Sequence, residues 1–329
     1  MKRSVTLGSV LVAVCVWSVA SATFPDTIDG SARATERAVR RAPPTTGPTV
    51  GGCPVFPADN PWNQDISGFP VHARSNRIIA KIQATGSDDL HPDFGENPNY
   101  GIPYVVVGGD QERVPIVYDA YGDESDPGPF PIPLGARVEG EPGATTGDRH
   151  VIALQTGTCE LFELYVARRA GAGWTAESGA RFDLRSNALR PMGWTSADAA
   201  GLAIFPGLVR YDEVADGEIR HAIRVTMSRT QRGYILPATH FASSSTDPDL
   251  PPMGLRLRLR ADADLSGLTG QALVIATAMQ RYGLIVADNG SNWFFQGSHD
   301  PRWDDGDLDQ LKDIPGTAFE VVDTGPVIG

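Results

Sequence analysis

Between Gly207 and Met227 the sequence reads GLVRYDEVADGEIRHAIRVTM. Arg210, Tyr211, Asp212 and Glu213 stand side by side, Asp216-Gly217 supplies a turn, and His221 follows among apolar neighbours. Carboxylic acids give protons, carboxylates and imidazoles take them, and a guanidinium holds an anion, so this patch could do acid–base chemistry. A glycosidase needs two carboxyl groups flanking the scissile bond, one protonated and one ionised. Glu213 and Asp288, each expected at the end of a secondary element, are the candidate pair, with His221 tuning or sharing the proton transfer. The competing roles are structural. Glu213 can pair with Arg210, Asp288 can open the turn it forms with Asn289 and Gly290, and His221 can be a hydrogen-bonded core residue.

Other constellations are looser. His150 in RHVIAL and Glu163 in LFELYV could join His221 in a cupin-like metal site, but the H-x-H spacing of such a site is missing, and no metal ligand is assigned. Trp62, Trp194, Trp293, Phe294 and Trp303 lie near turns, in NPWN, GWTS, SNWFF and PRWDD, where a ring can stack on a sugar or cap a core. Arg190, Trp194, Arg210 and Trp293 are the expected substrate-holding residues. Asp300 to Asp309 is locally acidic but lacks the register and closing Glu of an EF-hand loop. There is no G-x-S-x-G elbow, H-E-x-x-H helix, P-loop or G-x-G-x-x-G turn, which argues against conventional esterase, metalloprotease and nucleotide-dependent activities. No cofactor is called for.

The elements that must position these residues are mostly strands. Arg149 to Leu154 and Leu161 to Val166 form a hairpin across QTGTCE, and Gly101 to Val107 and Val114 to Tyr118 read as further strands. Ile219 to Val225 places Ile219, His221, Ile223 and Val225 on one face and Arg220 and Arg224 on the other. Leu255 to Arg260 alternates leucine and arginine, which predicts leucines inward and a wet arginine stripe. Leu284 to Asp288 and Phe319 to Val322 complete the strands. Short helices are expected over Ser75 to Ala84, Leu208 to Ala215 and Asp304 to Lys312, and a stronger one over Thr269 to Arg281. Turn chemistry separates most strands, which predicts an all-β fold, an antiparallel β-sandwich or jelly-roll with a few packed short helices.

Lys2 and Arg3 precede the apolar run Val5 to Val19, and Ala20-Ser21-Ala22 has the small-x-small form of a signal peptidase site, so residues 1–22 are expected to be a signal peptide. The mature chain would then begin at Thr23, which cannot supply the N-terminal histidine of copper polysaccharide oxygenases. Residues 23–52 lack apolar periodicity and read as a flexible linker, and 53–329 as a single β-rich domain. Cys15 falls in the signal peptide, leaving Cys53 and Cys159 to pair in an oxidising compartment. The formal charge is −12, and the first 50 residues are net basic, so the remainder is more acidic still. Such a surface repels phosphate backbones and anionic lipid, so neither nucleic acid nor membrane is an expected partner.

From Phe182 to Val322 the chain resembles a family of secreted, largely uncharacterised bacterial proteins. The resemblance rests on FDLRSNALRPMGWTSADAAGLAIFPGLVRYDEV, GEIRHAIRV, PATHFASSSTDP, RYGLIVADNGSNWF and PRWDDGDL. Matching positions are Arg190, Trp194, Asp198, Gly207, Arg210, Glu213, His221, His240 and Asp288, and NPWNQDI and GDRHVIAL extend the likeness across the mature domain. It implies secretion and a common unit, but carries no activity. The residues together predict a secreted carbohydrate-active protein, a glycoside hydrolase or lyase acting on an extracellular glycan. The alternatives are a non-catalytic glycan-binding or cell-surface module and, more weakly, a metal-dependent hydrolase or oxygenase.

Overall fold

A computed structural model describes residues 47–329. The expected signal peptide and residues 23–46 of the expected linker lie outside the described residues. The end of that linker is ordered, because Thr49–Val50 pairs antiparallel with Cys53–Pro54. Gly51 and Gly52 close the hairpin with φ of 59° and 78°, the left-handed pair that a two-residue turn requires.

Strands dominate, with few short helices, as expected. A four-stranded sheet has the order Ser178–Asp183, Glu160–Tyr165, Val151–Gln155, Tyr104–Val107. A six-stranded sheet has the order Phe319–Val321, Arg256–Leu259, Leu284–Asn289, Ile223–Met227, Phe294–Phe295, His91–Pro92. Ile116–Tyr118, Gly173–Ala176 and Arg168–Ala170 make a small third sheet. The sheets are mixed, where the alternation predicted antiparallel pairing throughout. Tyr104–Val107 runs parallel to Val151–Gln155, and Ile223–Met227 runs parallel to Leu284–Asn289. A parallel pair needs a crossover, and the chain between these last two includes the helix Gly270–Arg281. The architecture is therefore not a clear sandwich or jelly-roll.

The second correction concerns the wet faces. All five residues of Ile223–Met227 and of Val151–Gln155 are buried, so both faces of these strands are covered. In the four-stranded sheet the alternation separates two cores. Ile152, Leu154 and Leu161 enter the main core, while Val151, Ala153, Phe162 and Leu164 enter a second core with Phe130, Ile132 and Trp174. The predicted arginine stripe is likewise internal. Arg256 donates to the carbonyls of Pro61, Gln64 and Tyr282, and Arg258 to those of Ile66, Ser67 and Phe69 and to Glu320. The irregular entry segment thus lies over that face, and its carbonyls, which have no ladder partner, are satisfied by guanidinium donors. Of the three arginines, Arg260 reaches solvent, beside Asp262.

Cys53 and Cys159 form a disulfide, with Cα atoms 5.4 Å apart and 106 residues apart in sequence. It ties the entry hairpin to the turn between the two central strands of the four-stranded sheet. Among the described residues no helix is long and apolar enough to cross a membrane.

Candidate active site

The parallel pair of the six-stranded sheet carries the two residues on which the site is built. Val225 stands opposite Val286, but Thr226 stands opposite Asp288, so Ala287 is an extra residue in its strand. Such a bulge re-aims the side chain that follows it. The Ala287 carbonyl accepts the N–H of Ala200. That contact brings the segment Ser196–Gly201 across the strand end. Gly201 is required there, because its φ is 71° and an added Cβ would lie 2.2 Å from Thr239 Oγ1.

Asp198 in this segment meets Arg224 of the neighbouring strand. Arg224 Nε donates to Asp198 Oδ2 at 3.0 Å and Nη2 to Oδ1 at 2.8 Å, while Nη1 donates to Gln296 Oε1 at 2.7 Å. Nη2 also lies 3.9 Å from Asp288 Oδ2. The Asp198 side chain is fully buried and that of Arg224 nearly so, whereas 21% of the Asp288 side chain is exposed. Burial and then the charge of Asp198 raise Asp288 to about 8 against the pull of Arg224, and a hydrogen bond to Asp198 adds to the rise. Asp288 is thus pushed toward its protonated form.

Asp288 opens into a cleft of about 140 Å³ lined by Tyr121, Tyr165, Ser178, Thr195, Asp198 and His240, among others. Tyr165 and Ser178 are cross-strand partners at one end of the four-stranded sheet, so the cleft lies where the two large sheets approach. Ser178 donates its hydroxyl to the Ser196 carbonyl at 2.7 Å. His240 Nδ1 lies 2.7 Å from the Ala199 carbonyl, an acceptor only, so Nδ1 carries hydrogen and Nε2 is the acceptor nitrogen of the neutral ring. Burial, with the charges of Asp148 and Glu177, pushes the Tyr165 hydroxyl up to about 12. Behind Tyr165, His150 spans Glu139 Oε2 at 2.6 Å and the Ala197 carbonyl at 3.1 Å. Burial opposes charge on this ring, but Glu139 outweighs it and raises His150 to about 9. Larger grooves exist, of about 560 Å³ beside Pro115, Tyr118 and Pro129 and about 510 Å³ beside Glu141 and Arg149. The first has no carboxyl group in its wall, and in the second Glu141 is paired with Arg169.

The residues singled out in Gly207–Met227 form a separate cluster. The helix there is short, Tyr211–Ala215. Glu213 Oε1 accepts from Arg210 at 2.8 Å and its Oε2 lies 3.1 Å from His221 Nε2, while His221 Nδ1 faces the Ala222 carbonyl. Arg210 also donates to the carbonyls of Phe205 and Leu208. Burial would raise Glu213, but Arg210 and His221 bring it to about 2. Glu213, His221 and Arg210 are absent from the lining of the Asp288 cleft, and His221 and Arg210 are buried. Glu213 and Asp288, the expected pair, thus do not share the wall of this cleft.

The remaining expected residues divide. Arg190 donates to the carbonyls of Thr195 and Glu124 and to Asp126, and its guanidinium lies over the rings of Trp194 and Phe182. It clamps the cleft wall from behind. Trp194 is the residue before Thr195, and its carbonyl accepts the Thr239 hydroxyl. Trp293 is fully buried against Phe319 with its N–H on Gln83, so it offers no face to a substrate. Glu163 has partners other than His221. It accepts the backbone N–H groups of Ile204 and Phe205, and burial raises it to about 7 against those bonds. Among the described residues no group of three or more His, Cys, Asp or Glu is placed to hold a metal ion.

Asp198 and His240 entered the sequence reading as motif members without a role, and Arg224 as an outward residue. The signal available was the run of small residues around Asp198, which fits a tight loop wrapped on a buried charge. No family model, no curated protein and no solved structure matches this chain.

Proposed function

We propose that this protein is a secreted glycoside hydrolase whose general acid is Asp288 and whose general base is His240. The observation that carries the reading is the placement of Asp288, a carboxyl pushed up by burial and by Asp198, in the wall of a cleft it shares with an imidazole whose Nδ1 is tied to a backbone carbonyl. In this reading Asp288 gives its proton to the glycosidic oxygen as the C–O bond breaks. His240 Nε2 takes a proton from the water that attacks the anomeric carbon, and the resting state returns when His240 releases that proton to solvent and Asp288 takes one up. Asp198 and Arg224 position Asp288, and burial and the charge of Asp198 hold up its proton affinity against the pull of Arg224. The disulfide and the expected signal sequence support an extracellular setting.

A second reading, a glycan-binding module without turnover, draws on one observation. The carboxyl groups lining the cleft are Asp198 and Asp288, and these are hydrogen-bonded to each other. They are therefore closer than the roughly 5–5.5 Å or 6.5–9.5 Å of the two-carboxylate glycosidases. Incubation of wild type and Asp288→Asn with a broad set of extracellular glycans separates the two. The hydrolase reading expects new reducing ends with wild type and none with the variant. Binding by both proteins with no product from either would leave the module.

A further inference from the structure

We infer that the cleft takes the terminal residue of a neutral glycan, which makes the enzyme exo-acting and a hydrolase rather than a lyase. This rests on the acid–base reading of Asp288 and His240, and deepens it by naming the substrate class.

Size carries the first half. At about 140 Å³ the cleft falls below the roughly 300–1,000 Å³ of sites for drug-sized ligands, and holds about five waters at roughly 30 Å³ each. That is room for one ring and not for a run of sugar residues. Its floor is closed by Asp198 and Arg224, both buried, and one wall by the paired strand ends at Tyr165 and Ser178. With the floor closed and the volume limited to one ring, a chain end fits this cleft better than an internal stretch. Tyr121, 48% exposed, lines the cleft and offers a ring face on which the sugar can stack.

Charge carries the second half. No lysine or arginine is among the residues lining the cleft. The arginine beneath them is committed, since each of its three nitrogens already donates to Asp198 or Gln296. A uronate or sulfate would enter a site with no lysine or arginine in its wall to receive it, on a protein of formal charge −12. β-Elimination by a lyase removes the proton beside a uronic carboxylate and needs that carboxylate neutralised, and among the described residues lining this cleft no lysine or arginine is present for the task.

The test uses the full mature chain and a defined panel. The neutral arm is tetra- to hexasaccharides of common hexoses and pentoses, reduced at one end. The acidic arm is polygalacturonate, alginate and hyaluronan. Products are resolved over time by chromatography and mass. The expected result is a monosaccharide and an oligomer one residue shorter as first products. Turnover of the acidic arm should be at least about 100-fold slower, and Asp288→Asn should be inactive on both. Internal fragments as first products, or comparable cleavage of the acidic polymers, would overturn this inference while leaving the acid–base reading standing. No turnover of either arm by wild type would overturn that reading, and this inference with it.

Discussion

Asp198 holds Arg224 through both carboxylate oxygens, at 3.0 and 2.8 Å, in a pair that solvent hardly reaches. Burying two charges is costly, and breaking such a pair by removing one partner typically costs about 3–5 kcal/mol. Its position beneath Asp288 gives it a second effect. The charge of Asp198 keeps the Asp288 proton on, so the pair links the stability of the sheet junction to the proton affinity of the cleft acid.

The first prediction is a pH profile. An acid held up to about 8 must be protonated to act, so kcat/KM should fall as pH rises through about 8. In Asp198→Asn the charge that opposes ionisation is gone and Arg224 is left to favour the carboxylate. The alkaline limb should then move to lower pH. Stability has its own sign. A carboxyl raised from its ordinary value favours the folded state fully below about 4, and that advantage is lost as pH rises through about 8. Thermal melts of wild type and Asp288→Asn should therefore diverge over this window, with the variant gaining on wild type as pH rises. A limb that stays in place in Asp198→Asn would remove the electrostatic coupling.

The second prediction assigns Glu213 to stability. With Arg210 on one oxygen and His221 on the other, Glu213→Ala strands two buried partners and should cost about 3–5 kcal/mol. Its carboxylate is lowered to about 2, so its contribution is present above about 4.5 and lost as pH falls through about 2. The melting difference between wild type and Glu213→Gln should shrink in acid. Turnover measured well below the melting temperature should stay within a few-fold of wild type. A kcat loss comparable to that of Asp288→Asn would return Glu213 to the active site.

How much of this was legible differs by residue. Period-two alternation located the strands around Ile223 and Leu257 to within a few positions, and the apolar run ending at Asn289-Gly290 located the one at Leu284, because both signals are local. The same alternation misplaced Arg224, Arg256 and Arg258, since it separates two faces without saying whether both are covered. Here the entry segment Pro61–Phe69 covers one of them, and no pattern within Leu255–Arg260 encodes that distant segment. Asp288 was visible as a strand-end carboxyl. Its partner was not, because the link to Asp198 runs through a bulge at Ala287 and a parallel pairing, both set by tertiary contacts. Charge density pointed instead to Glu213, where the charges cancel one another.

The third prediction concerns the disulfide, which closes a loop of 106 residues of separation between the entry hairpin and the four-stranded sheet. In the chain-entropy model such a cross-link is worth about 4–5 kcal/mol. Cys53→Ser with Cys159→Ser, or wild type under reductant, should lose stability of that order in denaturant unfolding. The cleft residues lie on other segments, so activity at low denaturant should be retained. Equal midpoints with and without reductant would show that the bridge contributes nothing.

The last prediction separates the two nitrogens of His240. Nδ1 ties the ring to the Ala199 carbonyl and so helps hold the segment that carries Asp198, while Nε2 is the proposed base. Asparagine can present an amide N–H near the Nδ1 position but has nothing at Nε2. His240→Asn should therefore melt close to wild type yet lose about 10²–10⁴ in kcat, the usual worth of a positioned base. His240→Ala loses the tether as well, and should fall in both stability and rate. A variant that keeps most of its rate would show that His240 only positions the loop, and the water would need another base.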